Sequence, residues 1–155
     1  MKLRFVWIGK TKRAPVKQLI QEYLDRAGKF ATVEVTELRD RKDVGGDAQR
    51  IIDKEGEDIL SSTASAGYLI ALDQRGQEID SPRLAELIER HRVAGTKQIT
   101  FVIGGHFGLS TAVRDRADFV LALSRMTLTH DLVRVLLIEQ VYRAFTIIHN
   151  LPYQK

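Results

Sequence analysis

Cysteine is missing from all 155 residues, which removes disulfides, thiolate nucleophiles and cysteine-ligated zinc or iron–sulfur centres from consideration. Long apolar runs are missing too. No stretch approaches the roughly 18 uninterrupted apolar residues of a membrane span, and the most apolar tract is broken by Arg134, Glu139, Gln140 and Arg143. Met1-Lys2-Leu3-Arg4 leads only into the short run Phe5-Val6-Trp7-Ile8, with no secretory apolar core. A soluble cytoplasmic protein is expected. Histidine is scarce, at 4 residues. His91 falls at helical spacing from Leu84, Leu87 and Ile88, which suits packing. His106, His130 and His149 form no i, i+4 pair with one another or with a suitable carboxylate, so no metal is expected.

Familiar nucleotide and hydrolase motifs are absent as well. Gly9-Lys10-Thr11 resembles the end of a P-loop, but the glycine required upstream is Arg4. The glycines at 104, 105 and 108 lack the spacing of a dinucleotide fingerprint and follow a late strand. Ser124, His130 and Asp131 offer the residue types of a hydrolytic triad, yet no G-x-S-x-G elbow exists.

What is present is one domain's worth of chain, residues 1–155, with 44% hydrophobic and 28% charged residues. Formal charge is +4, from 24 Lys+Arg against 20 Asp+Glu. This is a mild bias toward polyanions. Lys10, Lys12, Arg13 and Lys17 cluster after the first apolar run, and Arg39, Arg41 and Lys42 form a second group. Solvated turns have the same composition.

Strands and helices alternate. Leu3–Ile8, Thr32–Leu38, Tyr68–Leu72, Gln98–Ile103 and Phe119–Leu123 read as strands. Helices are expected near Pro15–Gly28, Ala48–Leu60, after Ser81-Pro82 with Ser81 as N-cap, Ser110–Ala117 and Asp131–His149. Arg39–Asp47, with Gly45-Gly46, reads as a polar loop, and Asp73–Gly76 as a turn. The pattern predicts an α/β fold with a largely parallel sheet flanked by helices.

Ligands of such sheets bind beyond the C-terminal strand ends. Three ends stand out: Leu72-Asp73, Ile103 to Gly108, and Leu123 to Thr127. Glycines in the middle one let backbone approach a flat ligand, although a tight turn uses the same residues. The last helix is apolar nearly all round, with Leu132, Val133, Val135, Leu136, Leu137, Ile138, Val141, Tyr142 and Phe145. Burial on more than one side follows, against a partner subunit or inside one core. Glu139 and Arg143 stand at ion-pair spacing.

Phe101-Val-Ile-Gly-Gly105, Leu123-Ser-Arg-Met-Thr-Leu-Thr-His130, Arg134-Val-Leu-Leu-Ile-Glu-Gln-Val-Tyr-Arg-Ala-Phe145 and Pro152-Tyr153 together carry a likeness. Over essentially its whole length the sequence resembles the RlmH family, pseudouridine methyltransferases of large-subunit ribosomal RNA within the SPOUT superfamily. The resemblance implies a C-terminal trefoil knot and S-adenosyl-L-methionine as methyl donor. Matching motif positions assign cofactor contacts to Leu72, Gly104, Leu123, Ser124, Arg125, Met126, Thr127 and Leu128. It also implies N3 methylation of a pseudouridine in the helix 69 loop of 23S ribosomal RNA, on assembled ribosomes, by a homodimer whose second subunit completes the site.

Arg143 and Tyr153 are the catalytic candidates, Arg143 for charge on the base and Tyr153 for stacking or hydrogen bonding. The family usually ends Pro-Tyr-His and a basic residue, where this chain has Pro152-Tyr153-Gln154-Lys155. Gln154 exchanges hydrogen bonds but is no base near neutral pH. A non-catalytic ribosome- or RNA-binding module retaining the knotted fold is therefore the alternative reading. His106-Phe107 is a second departure, where family members often carry proline or a small residue.

Overall fold

The computed structural model describes residues 1–41 and 47–153. In chain order it contains β1 (Lys2–Ile8), α1 (Ala14–Ala27), β2 (Thr32–Leu38), α2 (Ala48–Ser62), β3 (Tyr68–Glu78), α3 (Ser81–Val93), β4 (Gln98–Ile103), α4 (Thr111–Arg116), β5 (Phe119–Ala122) and α5 (His130–Ile148). The five strands form one sheet in the order β2-β1-β4-β3-β5, and every pairing is parallel. The α/β expectation holds.

Alternation along the strands sorts side chains into two cores. Leu3, Phe5, Trp7, Ile70, Leu72, Phe101 and Ile103 meet Ile20 of α1, Leu84 and Ile88 of α3, and Leu137, Val141 and Phe145 of α5. Val6, Ile8, Leu69, Ala71 and Val102 meet Ile59 of α2 and Val113 of α4. The Phe5 and Phe101 rings stack at 5.3 Å on adjacent strands. Each fully buried large side chain contributes about 1.5–3 kcal/mol.

Several boundaries differ from the sequence expectation for local reasons. The strand ending at Leu72 was expected to give way to a turn, but β3 runs on to Glu78. Leu72 and Gln77 both pair with Leu121, so Asp73–Gly76 bulge out between two stretches of ladder. Gly76 permits this, because a Cβ there would fall 2.5 Å from the Val120 carbonyl oxygen. Asp80, rather than Ser81, caps α3, accepting from Arg83 N at 2.9 Å, while Ser81 Oγ donates to Gln140 of α5 at 2.5 Å. Thr129 caps α5, whose first residue is His130. Most of the Arg39–Asp47 loop lies outside the described residues.

The helices that follow β1 and β3 cover one face, whereas the helix that follows β4, between them in the sheet, covers the other. Loops leaving neighbouring strands toward opposite faces open a crevice at the C-terminal edge. That crevice holds the candidate site.

Candidate functional site: a cleft at the strand ends

A cleft of about 590 Å³ opens at the C-terminal ends of β3, β4 and β5, within the ~300–1,000 Å³ range of small-molecule sites. Three loops build it. The Asp73–Gly76 bulge forms one wall, Gly104–Leu109 the floor, and Leu123–Thr129 with the first turn of α5 the other wall. Leu72, Leu121, Leu123, Leu128 and Val133 give it apolar sides.

The floor is tight. An added Cβ on Gly104 would fall 2.7 Å from the carbonyl carbon and oxygen of Gly108, and one on Gly105 would run into the Glu55 carboxylate. Gly108 has φ +87 and its N–H donates to Gly105 O at 2.9 Å, closing the loop on itself. Glu55 is buried beneath that loop, accepting from Arg41 N at 3.1 Å through Oε1, while Oε2 has no partner among the described residues. Burial, with Asp40 and Asp58 nearby, holds its carboxyl above the usual range against the Arg41 contacts.

Polar contacts fix the walls. Asp73 accepts from Arg75 N and Nε, both at 2.9 Å, and from Arg75 Nη2 at 2.8 Å, with Arg114 3.6 Å away. The Arg75 hydrogen bonds hold the Asp73 carboxyl below its ordinary range. Across the mouth, Thr127 Oγ1 donates to Gln74 Oε1 at 3.3 Å, and Ser124 Oγ accepts from Met126 N at 2.9 Å. His106 and His130 face each other with ring centroids 6.4 Å apart. Burial pushes the His130 imidazole toward its neutral form, as do Arg134 and His106; Asp131 and Asp40 oppose them.

Seven of the eight residues expected to contact cofactor line this cleft: Leu72, Gly104, Leu123, Ser124, Met126, Thr127 and Leu128. Arg125 is not among the lining residues; it donates to Glu78 at 3.1 Å and to Gln74 O at 3.1 Å, tying the two walls together. Gln74, Phe107, His130 and Val133 also line the cleft. Phe107 belongs to the Ile103–Gly108 strand end that the sequence singles out, whereas Gln74, His130 and Val133 were not placed there. Their only signal is proximity in the chain to the strand ends.

Arg143 and Tyr153 lie elsewhere. Arg143 is 13 positions beyond His130 on α5, about 20 Å along the axis at 1.5 Å per residue. There it donates to Glu139 Oε1 at 2.7 Å, as the i, i+4 spacing predicted, and its guanidinium lies 4.7 Å from the Tyr153 ring. Tyr153 donates to the same Glu139 oxygen at 3.1 Å. Burial, Tyr23 and Glu139 all raise its hydroxyl pKa, so it stays protonated. Gln154 lies outside the described residues.

The family model described as "Predicted SPOUT methyltransferase" matches residues 1–154. The chain belongs to the SPOUT methyltransferase family. It is 46% identical over 153 residues to a relative from Trichlorobacter lovleyi named ribosomal RNA large subunit methyltransferase H, with 99% of each chain covered. A relative of the same name from Geobacter sulfurreducens is also 46% identical over 99% of each. Among solved structures, a methylase family protein from Haemophilus influenzae superposes with TM-score 0.59 at 16% identity, covering 99% of this chain and 70% of that one. A tRNA methyltransferase from Aquifex aeolicus gives TM-score 0.54 at 17% identity, covering 92% and 70%. These likenesses fix the SPOUT fold, with which a knotted C-terminal segment is consistent.

For a SPOUT methyltransferase the donor is S-adenosylmethionine, and the cleft has the features that donor needs. Apolar walls suit a flat purine, the floor from Gly104 to Gly108 is backbone packed closely on itself, and Asp73, Gln74, Ser124 and Thr127 supply polar atoms at the rim. Among the described residues no group of three or more His, Cys, Asp or Glu is placed to hold a metal ion.

Proposed function

We propose that this chain is an S-adenosylmethionine-dependent ribosomal RNA methyltransferase, working as a cytoplasmic homodimer on assembled ribosomes. The target is N3 of a pseudouridine in the helix 69 loop of 23S ribosomal RNA. The observation that carries the reading is end-to-end similarity to the named large-subunit methyltransferases, on a chain whose cleft can hold the donor. The donor, when bound, supplies an electrophilic methyl group. The protein's own residues then have three tasks: to hold the base, to favour loss of its N3 proton, and to exclude water.

Leu72, Gly104, Leu123 and Leu128, with Ser124, Met126 and Thr127, form the donor's cradle. Arg143 favours the anion that develops on the base, and Tyr153 stacks against the ring or hydrogen-bonds to it. The ~20 Å between these residues and the cleft of the same protomer supports a shared site, in which each subunit's tail serves the other's cleft. Leu132 and Leu136, one turn apart on α5, are 51% and 40% exposed and leave an apolar stripe for a partner.

The test is methyl transfer from labelled donor to ribosomes lacking the modification, with Gln154→His alongside. Transfer by the natural chain supports the reading. Gain of transfer only in Gln154→His would mark a family member weakened at one position, and binding without transfer from either would favour the RNA-binding module. Mixing Arg143→Ala protomers with Gly104→Val protomers should restore transfer above either parent, because hybrid dimers pair one intact cleft with one intact tail. No restoration would rule out sharing.

A further inference from the structure

The turn between β1 and α1 carries the densest basic cluster in the protein, and the cleft does not use it. Residues 1–21 contain no Asp or Glu. Of the cations there, Lys2 and Arg4 pair with Glu34. Lys10, Lys12, Arg13 and Lys17 are exposed and enter no ion pair among the described residues. These four equal the chain's whole formal surplus of +4.

The turn that presents them is pinned from below. Thr11, between Lys10 and Lys12, is buried; its N–H donates to Glu37 at 3.0 Å and its hydroxyl accepts from Arg134 Nη1 at 2.8 Å. Arg134 Nη2 donates to Ile8 O at 2.6 Å and Gly9 O at 3.1 Å. Gly9 turns the chain at φ +80. With Thr11 held inward, Lys10 and Lys12 are directed outward from a fixed backbone. Arg13 and Lys17 follow at i, i+4 spacing, where like charges repel unless an anion lies between them.

Acidic neighbours do little to neutralise this face. Glu37 is committed to Thr11 N and Trp7 Nε1, and Asp131 lies 3.8 Å from Arg134. Among the described residues, Asp40 sits beside Gly9.

The position relates the cluster to the cleft. Trp7 is in register with Ile103, so the turn that follows β1 and the loop that follows β4 leave adjacent strands at the same edge of the sheet. The N-terminal end of α5 touches both regions, with His130 in the cleft wall and Arg134, just over one turn on, under the basic turn.

We propose that Lys10, Lys12, Arg13 and Lys17 form a docking surface for the phosphate backbone of the RNA substrate, flanking the methyl-transfer cleft. The proposal rests on the ribosomal RNA reading above. A row of unpaired cations on a preorganised turn binds phosphates by position and charge, independently of base identity.

The experiment is the triple variant Lys10→Gln/Lys12→Gln/Arg13→Gln, with Lys10→Arg/Lys12→Arg/Arg13→Lys as the charge-conserving control. Both alter exposed side chains only. Binding to protein-free 23S ribosomal RNA and to unmodified ribosomes is measured across a salt series, with donor affinity measured separately. The glutamine variant should bind both RNA probes at least about tenfold more weakly near 0.1 M salt. Its slope of log affinity against log salt should be shallower by about 2–3. Its KM for ribosomes should rise in step, with kcat and donor affinity unchanged. The control should behave as the parent does.

Unchanged affinity and slope in the glutamine variant would overturn the proposal. So would a defect on ribosomes without one on protein-free RNA, which would assign the turn to a ribosomal protein. Equal loss in the charge-conserving control would also overturn it, because phosphate contact needs charge rather than side-chain identity. If the parent itself transferred no methyl group, the function reading would fail, while the binding and salt measurements would still decide the surface.

Discussion

Arg134→Met removes a buried guanidinium while keeping its aliphatic stem. Arg134 is 3% exposed, donates to Thr11 Oγ1, Ile8 O and Gly9 O at 2.6–3.1 Å, and lies 5.1 Å from the Trp7 ring centroid. Methionine fills much of the space but donates nothing, so the Ile8 carbonyl and the Thr11 hydroxyl lose a donor in a dry setting. Each stranded buried group costs about 1–3 kcal/mol. Against this stands the burial of the cation itself. Desolvation lowers the Arg134 pKa despite Asp131, Glu37 and Asp40, and Nε has no partner among the described residues. Relief of that penalty returns about 1–2 kcal/mol.

The expected net destabilisation is about 2–3 kcal/mol, a fall in melting midpoint of about 4–12 °C for a chain of this size. Equilibrium urea unfolding at pH 7 and fixed protein concentration measures it. Arg134→Lys should recover only part of the loss, since one ammonium cannot serve two carbonyls and a hydroxyl with a planar fork. A loss below about 1 kcal/mol in Arg134→Met would show that the hydrogen bonds merely offset the charge's burial. The arginine would then not be what pins the β1–α1 turn.

Gly104→Ala places a methyl 2.7 Å from the Gly108 backbone and should weaken donor binding at least about tenfold with the fold retained; calorimetric affinity equal to the parent's would refute the cradle. The Glu55 carboxyl, raised chiefly by burial, binds its proton more tightly folded than unfolded, so stability falls as pH rises from the ordinary carboxylate range through the raised value. Glu55→Gln should remove that fall, seen as a flatter stability profile on the alkaline side of the ordinary carboxylate range. The His130 imidazole is lowered, burial first, so its contribution to stability is present above the ordinary histidine pKa and declines as pH drops through the depressed one. His130→Asn should lose that acid-side decline, and an NMR titration midpoint at or above the ordinary value would contradict it. Leu136→Cys introduces a lone thiol into a cysteine-free chain, and a short bifunctional thiol reagent should link it to its copy if the exposed α5 stripe is the dimer contact.

How much of this was legible in the sequence depends on the range of the physics involved. The strands at Leu3–Ile8 and Gln98–Ile103 announce themselves by short buried runs, and the Glu139–Arg143 pair by helical spacing. The three strand ends chosen as ligand loops do converge on one cleft, because parallel sheets open at that edge whatever their sequence. Asp73–Glu78 shows no alternation, and its strand exists because β5 offers a second stretch of ladder across from Gly76. Arg134 reads locally as an interruption in an apolar helix. Its partners lie as far as 126 positions away, and only the fold brings them together. Glu55 sits on a polar-looking helical face until the Gly105 loop covers it. Arg125 is placed by motif position, and its contacts with Glu78 and Gln74, 47 and 51 positions away, have no local signal.

The length of α5 constrains how a complete site is assembled. Its N-terminal residue His130 is in the cleft wall, and Arg143, Glu139 and Tyr153 form a separate cluster near its other end. No side-chain rearrangement spans the ~20 Å between them, so a single protomer that uses both would need its last helix remade, against a core built on Leu137, Ile138, Val141 and Phe145. A two-fold axis solves the problem without moving the helix. When two copies of α5 pack antiparallel about a point at Leu136, residue 143 of one lies beside residue 129 of the other, at the rim of its cleft. Leu132 and Leu136 are the exposed apolar residues on that helix, and in the proposed dimer a contact that buries them would also bring each tail to the opposite cleft. Shifting that point by one turn would carry Arg143 about 10 Å from the cleft rim. In the proposed dimer, association and assembly of the site would be the same event, so a substitution that disrupts the Leu136 contact should cost methyl transfer as steeply as loss of Arg143.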